Sequence, residues 1–127
     1  MFEPRTARRA LLGALVVLPA MPPWGRHAAA HAVVAASEPE AGAVLDRQPG
    51  RVSVRFNSRI DHGRSRLVLI GPGGVQHPLE LAPAAEPSLL EAPAPALLPG
   101  AWRLRWQVLA LDGHVTRGDI PFIVGPP

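Results

Sequence analysis

The sequence contains no cysteine, no tyrosine and no lysine, and its only two methionines are Met1 and Met21. Without cysteine the chain can form neither a disulfide nor a thiolate metal site, so apolar packing alone must hold the fold. Beyond Met21 the chain has no sulfur atom at all. Nitrogen and oxygen are therefore the only ligand atoms that this part of the chain can offer to a metal ion.

The first 30 residues form a segment of their own. Three arginines precede an apolar run over 10–21, which prolines interrupt and which is shorter than the roughly 20 residues that a membrane-spanning helix needs. This pattern is typical of a secretory signal peptide, and Ala28 and Ala30 fit its small-residue processing site. We therefore expect export by the general or the twin-arginine route, cleavage after Ala30, and a periplasmic domain that begins at His31.

Charge is distributed unevenly between the leader and the rest of the chain. Residues 1–30 hold four arginines and one glutamate, whereas residues 31–127 hold nine arginines and nine acidic residues. The formal charge of +3 therefore lies entirely in the leader, and the remainder is balanced. A balanced domain has no net attraction for nucleic acid or anionic lipid. The length of 31–127 predicts one domain with a single core and no membrane span.

Alternation of apolar and polar residues is the strongest pattern in 31–127. It is clearest over 52–57 and 102–108, which indicates half-buried strands. Shorter strand candidates, separated by Pro-Gly turn signals, lie at 32–37, 66–70, 75–81, 119–124 and 88–91. We find no helical period. The sequence thus predicts an all-β Greek-key sandwich or barrel, immunoglobulin-like or cupredoxin-like, with about seven short antiparallel strands.

Asp112 and His114 are the most informative polar pair. Two residues apart, they would point to the same side of an extended backbone, where a carboxylate and an imidazole make half of a metal site. The Asp-Gly step between them is also a common hairpin signal. Taken alone, the pair is more typical of a solvated turn than of a metal site.

His31 changes this interpretation, because cleavage would make it the first residue. A free N-terminal histidine offers its α-amine and its Nδ1 atom to one ion in a six-membered chelate ring. With His114 and Asp112 the set becomes three nitrogens and one oxygen, which suits tetragonal Cu(II). The alternative is a terminal histidine that frays in solvent.

With these residues the chain resembles the CopC family of periplasmic copper-binding proteins along nearly its whole length from His31. The matching positions are His31-Ala32, Ser37, Pro39, Gly42, Leu45, Pro49, Val52, Phe56, Leu98-Pro99-Gly100, Arg105-Trp106, Val108, Asp112-Gly113-His114, Gly118 and Phe122. The resemblance implies a Greek-key β fold and a role in copper handling or resistance outside the cytoplasm. It also implies Cu(II) ligation by the amine and imidazole of His31, by Asp112 and by His114.

The chain departs from the family pattern in two ways. Some members have a methionine-rich loop for Cu(I), whereas no methionine follows Met21 here. Ser58 stands where many members have a glutamate shortly after the second strand, so either the ligands have weaker support here or Asp61 or His62 supplies it. We interpret His77 as an exposed strand-edge residue and not as a ligand.

Two further expectations concern the strand at 102–108. Trp102 and Trp106 share one face and are expected in the core, while Arg103 and Arg105 form a solvated face.

The predicted function is that of an exported copper-binding protein, not an enzyme, that holds one Cu(II) for trafficking, homeostasis or resistance. Its partner would be an inner-membrane copper transporter or another copper protein of the cell envelope. Two alternatives stay open at this point. One is a copper oxidase with an N-terminal histidine brace, and the other is a metal-free immunoglobulin-like interaction module.

Overall fold

The fold is known from a computed structural model that describes residues 32–126. The strands are β1 (Val34–Glu38), β2 (Ala43–Leu45), β3 (Arg51–Phe56), β4 (Ile60–Ile70), β5 (Gln76–Pro78), β6 (Leu89–Pro93), β7 (Gly100–Ala110) and β8 (Val115–Val124). The only helical element in this range is a short 3-10 turn at Pro72–Gly74. No helix within 32–126 is long and apolar enough to cross a membrane.

The eight strands form two sheets that pack face to face, so the predicted all-β sandwich is confirmed with one strand more than expected. One sheet has three strands in the order β1-β3-β6, and the other has five in the order β2-β8-β7-β4-β5. All neighbouring strands are antiparallel except β2, which pairs with β8 in parallel. The sequence analysis missed β2 because three residues are too few to show a period.

The strand ends also differ from the predictions. The candidate at 75–81 is a strand only over Gln76–Pro78; Leu79 still donates a hydrogen bond to Leu67 O of β4, and Leu79 and Leu81 pack against the core. The candidate at 66–70 is the second half of a longer strand, because β4 already begins at Ile60. Its first half is polar and irregular, which hid it from a search for alternation.

The core lies between the inner faces of the two sheets. Val52, Val54 and Phe56 of β3 are at most 2% exposed, as their alternation predicts. The inward side chains of the larger sheet are also buried, and they are Leu67, Leu69, Trp102, Leu104, Trp106, Val108, Ile120, Phe122 and Val124. The prediction that both tryptophans belong to the core is therefore confirmed.

Trp106 joins the two sheets near one end of the sandwich. Its ring meets Phe56 of the smaller sheet edge-on, with 5.2 Å between the ring centroids. On the neighbouring strand Gly118 lies against the same ring, and a Cβ atom there would come within 2.6 Å of Trp106 Cζ2. A glycine is therefore needed at 118 because any side chain would push the indole out of its place between the sheets.

Trp102 lies near the start of β7, four residues before Trp106. A Cβ atom on Gly71 would come within 2.8 Å of its ring, and its Nε1 donates a 2.8 Å hydrogen bond to the carbonyl of Leu98. The two indoles are thus alike in burial, at 5% and 8% exposure for Trp102 and Trp106, but Trp102 lies near the start of β7 and Trp106 lies past its middle, toward Ala110.

The outer face of the larger sheet is polar, as predicted for Arg103 and Arg105. Both arginines bind Asp119 on the neighbouring strand: Arg105 donates to both carboxylate oxygens at 2.8 and 3.0 Å, and Arg103 donates to one at 2.8 Å. The hydrogen bonds and charge of Arg105, together with the charge of Arg103, lower the pKa of Asp119 against the opposing effect of its partial burial.

We expect Asp119 to titrate below the usual carboxyl pKa of about 3.9, and Arg105→Gln to raise its pKa. Because the pKa is lower in the folded state, the contribution of Asp119 to the free energy of unfolding is present above the unfolded-state pKa. It is lost as pH falls through the folded-state pKa. A carboxyl-carbon NMR titration measures the value directly. Arg51→Gln, on the other sheet, is the control and should leave Asp119 unchanged; an ordinary pKa for Asp119 in the unmodified protein would contradict the prediction.

Candidate metal centre

Asp112 and His114 lie in the tight loop between β7 and β8. Gly113 N donates to Ala110 O at 3.0 Å, and Ala110 N donates to His114 O at 3.0 Å. Gly113 has φ of +86°, the left-handed conformation that glycine adopts without strain. This is the pattern of a three-residue hairpin loop. The structure thus has the turn that the Asp-Gly step indicated and not the extended backbone, because β7 ends at Ala110 and the chain turns before β8 begins.

The turn nevertheless brings the two predicted side chains together. Asp112 Oδ1 accepts a 2.9 Å hydrogen bond from the backbone N–H of His114, and Asp112 Oδ2 lies 3.1 Å from His114 Nδ1. The carboxylate thus uses one oxygen to hold the loop while the other faces the imidazole. The Asp112 side chain is 20% exposed and that of His114 is 67% exposed. A hydrogen-bonded carboxylate and a largely exposed imidazole therefore lie side by side at the surface.

The beginning of the described chain is held firmly at Ala32 and Val33. Ala32 is 2% exposed and belongs to the core. Val33 N donates to the side-chain oxygen of Asn57 at 2.9 Å, and Asn57 N donates back to Val33 O at 2.9 Å. This reciprocal pair extends the contact between β1 and β3 by one step. Sequence analysis missed Asn57, whose only signal is a polar amide directly after an alternating run.

The connection between β3 and β4 links this anchored start to the hairpin. At one end Asn57 holds Val33, and at the other Ile60 pairs with Ala110 at the base of the hairpin loop. Residues 32–33 and the Asp112–His114 pair therefore lie at the same end of the sandwich. His31 itself lies outside the described residues, so its predicted place in the site stays a prediction.

A bulge in β4 shapes the sheet beside the hairpin. Asp61 pairs with Leu109 and Arg66 with Gln107, so the chain between them is longer in β4 than in β7. The buried hydroxyl of Ser65 closes this bulge: it donates to Asp61 O at 2.6 Å and accepts from Leu109 N at 3.2 Å. Bulges of this kind are common beside functional sites because they redirect a strand.

Asp61 and His62, considered above as support for the ligands, have other partners. Asp61 Oδ1 accepts from Arg64 N within the bulge at 3.2 Å, and His62 Nε2 lies 2.8 Å from Leu89 O, a contact that ties β4 to the smaller sheet. Within residues 32–126 there is no group of three or more His, Asp or Glu side chains placed to hold one metal ion. Asp61 and His62 thus have hydrogen-bond partners within β4 and on the smaller sheet.

Ser58, which stands where the resemblance implies an acid, is part of the same connection. Its hydroxyl is buried and has no hydrogen-bond partner among the described residues; the Thr116 hydroxyl shares this state. Ser58 thus makes no hydrogen bond to Asp112 or His114 in place of the missing carboxylate.

His77 lies far from this end of the molecule. It is exposed on the edge strand β5, as predicted, and its ring is 5.7 Å from that of Trp102. Since Trp102 and the hairpin are at opposite ends of β7, the structure separates His77 from the Asp112–His114 pair. It therefore offers a control position for experiments on the pair.

The sequence of this domain is similar to that of known proteins. Residues 34–125 match the CopC domain, a range that contains all eight strands. The chain is 28% identical over 100 residues to protein YobA of Escherichia coli K12, covering 75% of this chain and 79% of that protein. Protein YobA of Shigella flexneri matches with the same values.

Two solved structures have the same fold. The structure of CopC from Methylosinus trichosporium OB3b matches with a TM-score of 0.68 and 26% identity, covering 76% of this chain and 95% of that one. The structure of PcoC, a methionine-rich copper resistance protein from Escherichia coli, matches with a TM-score of 0.62 and 25% identity, covering 75% and 99%. Both similarities span nearly the complete neighbouring chain.

Proposed function

The chain belongs to the CopC family, and from this premise we propose that it is a copper resistance protein of the cell envelope that holds one Cu(II) ion as cargo. The observation that carries the proposal is the Asp112–His114 pair, with 3.1 Å between carboxylate and imidazole. The pair lies at the end of the sandwich where the anchored residues Ala32 and Val33 also lie. The similar structures are those of a CopC and of a copper resistance protein, which supports copper as the metal.

The proposed ligands are the amine and imidazole of His31, the carboxylate of Asp112 and the imidazole of His114. Three nitrogens and one oxygen suit Cu(II), whereas Cu(I) prefers the sulfur ligands that residues 31–127 lack. The chain differs in this respect from the methionine-rich PcoC. We therefore assign the cupric and not the cuprous ion to this site.

Signal cleavage after Ala30 would create the amine ligand only once the protein has left the cytoplasm. Before cleavage the same nitrogen belongs to a peptide bond and cannot serve as an amine. His31 precedes Ala32 directly in the sequence, and Ala32 is 2% exposed. A short tether to a buried residue reduces the entropy lost when the new terminus binds the ion.

The proposed mechanism is ligand exchange without turnover. The His114 ring is 67% exposed, so an incoming ligand from a partner can approach the ion from the solvent side. The partner would be an inner-membrane copper transporter or another copper protein of the envelope. A fixed carboxylate among the ligands favours retention of the cupric state over redox cycling.

The test is a Cu(II) titration of protein that begins at His31, followed by electron paramagnetic resonance of the complex. We expect one ion per chain and a spectrum with nitrogen ligands. His114→Ala removes a ligand, so its affinity loss should exceed the roughly 10–100-fold loss typical of removing a residue that only supports a ligand.

His77→Ala is the matched control, because it removes an exposed histidine at the far end of the sheet. It should leave the affinity unchanged. Equal losses in the two variants, or binding of no stoichiometric Cu(II) by the unmodified protein, would refute the proposed site.

A further inference from the structure

Four arginines gather on the outer face of the five-stranded sheet: Arg66 on β4, Arg103 and Arg105 on β7, and Arg117 on β8. We call this surface, together with Asp119, the arginine face. The four arginines and one aspartate give it a charge of +3, whereas residues 31–127 as a whole are neutral. The acidic residues thus predominate elsewhere, and the domain is electrically polarised despite its balanced composition.

The arginines on this face differ in their internal partners. Arg103 and Arg105 share the Asp119 carboxylate. Arg66 has only a 3.4 Å contact with the neutral Gln107, and Arg117 makes no ion pair among the described residues. Arg66 and Arg117 therefore keep their charge available at the surface.

These two arginines flank one residue in a row across the sheet. Arg66 pairs with Gln107, and Gln107 pairs with Arg117. Since neighbouring strands are about 4.8 Å apart, the two Cα atoms are about 10 Å apart. A shallow groove of about 640 Å³ follows this row, and its lining includes Arg66, Gln76, Arg105, Gln107 and Arg117.

We propose that the arginine face is a docking surface for an extended acidic segment of a partner protein. A guanidinium group binds a carboxylate through two parallel hydrogen bonds. Arg105 already binds Asp119 through both oxygens, so this face shows the interaction within the chain itself. A concave groove fits an extended polypeptide strand better than a flat bilayer.

The arginine face continues directly to the Asp112–His114 hairpin. From the Gln107–Arg117 pair the ladder runs through Val108–Thr116 to Leu109–Val115, where the hairpin loop begins. At that end Val115 and Leu111 are 53% and 70% exposed. A segment bound along the groove would cross the strands and have one end at Arg117, two residues along β8 from Val115.

Docking would place the partner where it can exchange copper with the hairpin. This use of the surface rests on the proposed function, whereas binding of the acidic segment does not involve copper. The two claims can therefore fail separately.

The probe is a short peptide in which glutamate alternates with serine, so that an extended conformation presents all carboxylates on one side. It is titrated into copper-free protein and followed by amide chemical shifts. We expect shifts centred on Gln107 and Arg117, and binding that weakens with salt. The double substitution Arg66→Gln and Arg117→Gln should weaken binding about fivefold or more, from the loss of two exposed ion pairs.

The matched control is the double substitution Arg47→Gln and Arg51→Gln, which removes the same charge away from the arginine face. It should bind the peptide as the unmodified protein does. Equal weakening in both double variants, or no binding of the peptide, would overturn the proposal.

Two further measurements distinguish an acidic segment from other occupants of the arginine face. Tighter binding to vesicles of equal parts phosphatidylglycerol and phosphatidylcholine than to the peptide would assign the face to a membrane. Self-association in sedimentation that requires Arg66 and Arg117 would assign it to a second copy. Either result overturns the proposal.

His114→Ala distinguishes the surface from the copper site. If this variant loses Cu(II) but binds the peptide normally, as we expect, the two are independent. If the protein binds Cu(II) normally but does not bind the peptide, the proposed function is unaffected and only the docking surface is refuted. Peptide binding by a protein that fails to bind Cu(II) would keep the surface and remove its role in copper exchange.

Discussion

One residue added before His31 is expected to lower the Cu(II) affinity of the cleaved protein about 1,000-fold, a free-energy change of about 4 kcal/mol. The addition converts the terminal amine into a peptide amide. It also displaces the start of the chain from the position beside the buried Ala32. The amine and its chelate ring are therefore lost together, while the imidazoles and Asp112 remain.

The affinity is measured by competition with a chelator of known Cu(II) affinity. One residue added after Pro127 is the matched control, because β8 runs from the hairpin at Val115 to the opposite end at Val124. That extension should have no effect. If both extended proteins bind Cu(II) as tightly as the protein that begins at His31, the terminal amine is not a ligand.

The second large effect is expected for Trp106→Ala, which should lower the free energy of unfolding by about 3–5 kcal/mol. The indole fills the space between Phe56 and Gly118, and its removal leaves a cavity where the two sheets meet. Domains are stable by only about 5–15 kcal/mol, so this is a large share of the total. Urea unfolding followed by circular dichroism measures the change.

The same substitution should weaken Cu(II) binding about tenfold, as loss of support around a metal site commonly does. Phe56 belongs to the sheet that anchors Val33, whereas Trp106 belongs to the sheet that carries the hairpin. Their contact therefore keeps the two halves of the proposed site in register. Trp106→Phe retains most of the packing and should have a smaller effect on both quantities.

Trp102→Ala is the control for this prediction. Trp102 is as buried as Trp106 and lies on the same strand, but at the end away from the hairpin. Its loss should destabilise the fold by a similar amount and leave Cu(II) affinity unchanged at temperatures where the protein is folded. Equal effects of the two substitutions on affinity would mean that only global stability matters.

Much of the fold was predictable because its central strands alternate strictly. The inward residues of β3 and β7 are buried where the two-residue period places them. The two-residue period did not reveal strands that are very short, such as β2, or irregular, such as the first half of β4. At those places pairing with a neighbouring strand, and not the local pattern, decides the conformation.

Part of the geometry at Asp112 and His114 was predictable from the sequence. The Asp-Gly step indicated a turn, whereas only the structure shows that a hairpin loop with Gly113 in a left-handed conformation brings the two side chains together. No local pattern indicated that Asn57 binds Val33, because the two residues are distant in sequence. The positive charge of the arginine face could not be predicted from local sequence either, since its residues come from three strands.

Composition and local order by themselves determined the class of this protein: a β fold without disulfides or sulfur ligands after residue 21, with a carboxylate and an imidazole in one short motif. Those properties depend on residue chemistry and on neighbours along the chain. Only the tertiary structure decided that residues 32–33 lie at the same end as the hairpin, and that four arginines share one face. Such proximity arises from strand pairing between distant segments, which no local pattern encodes.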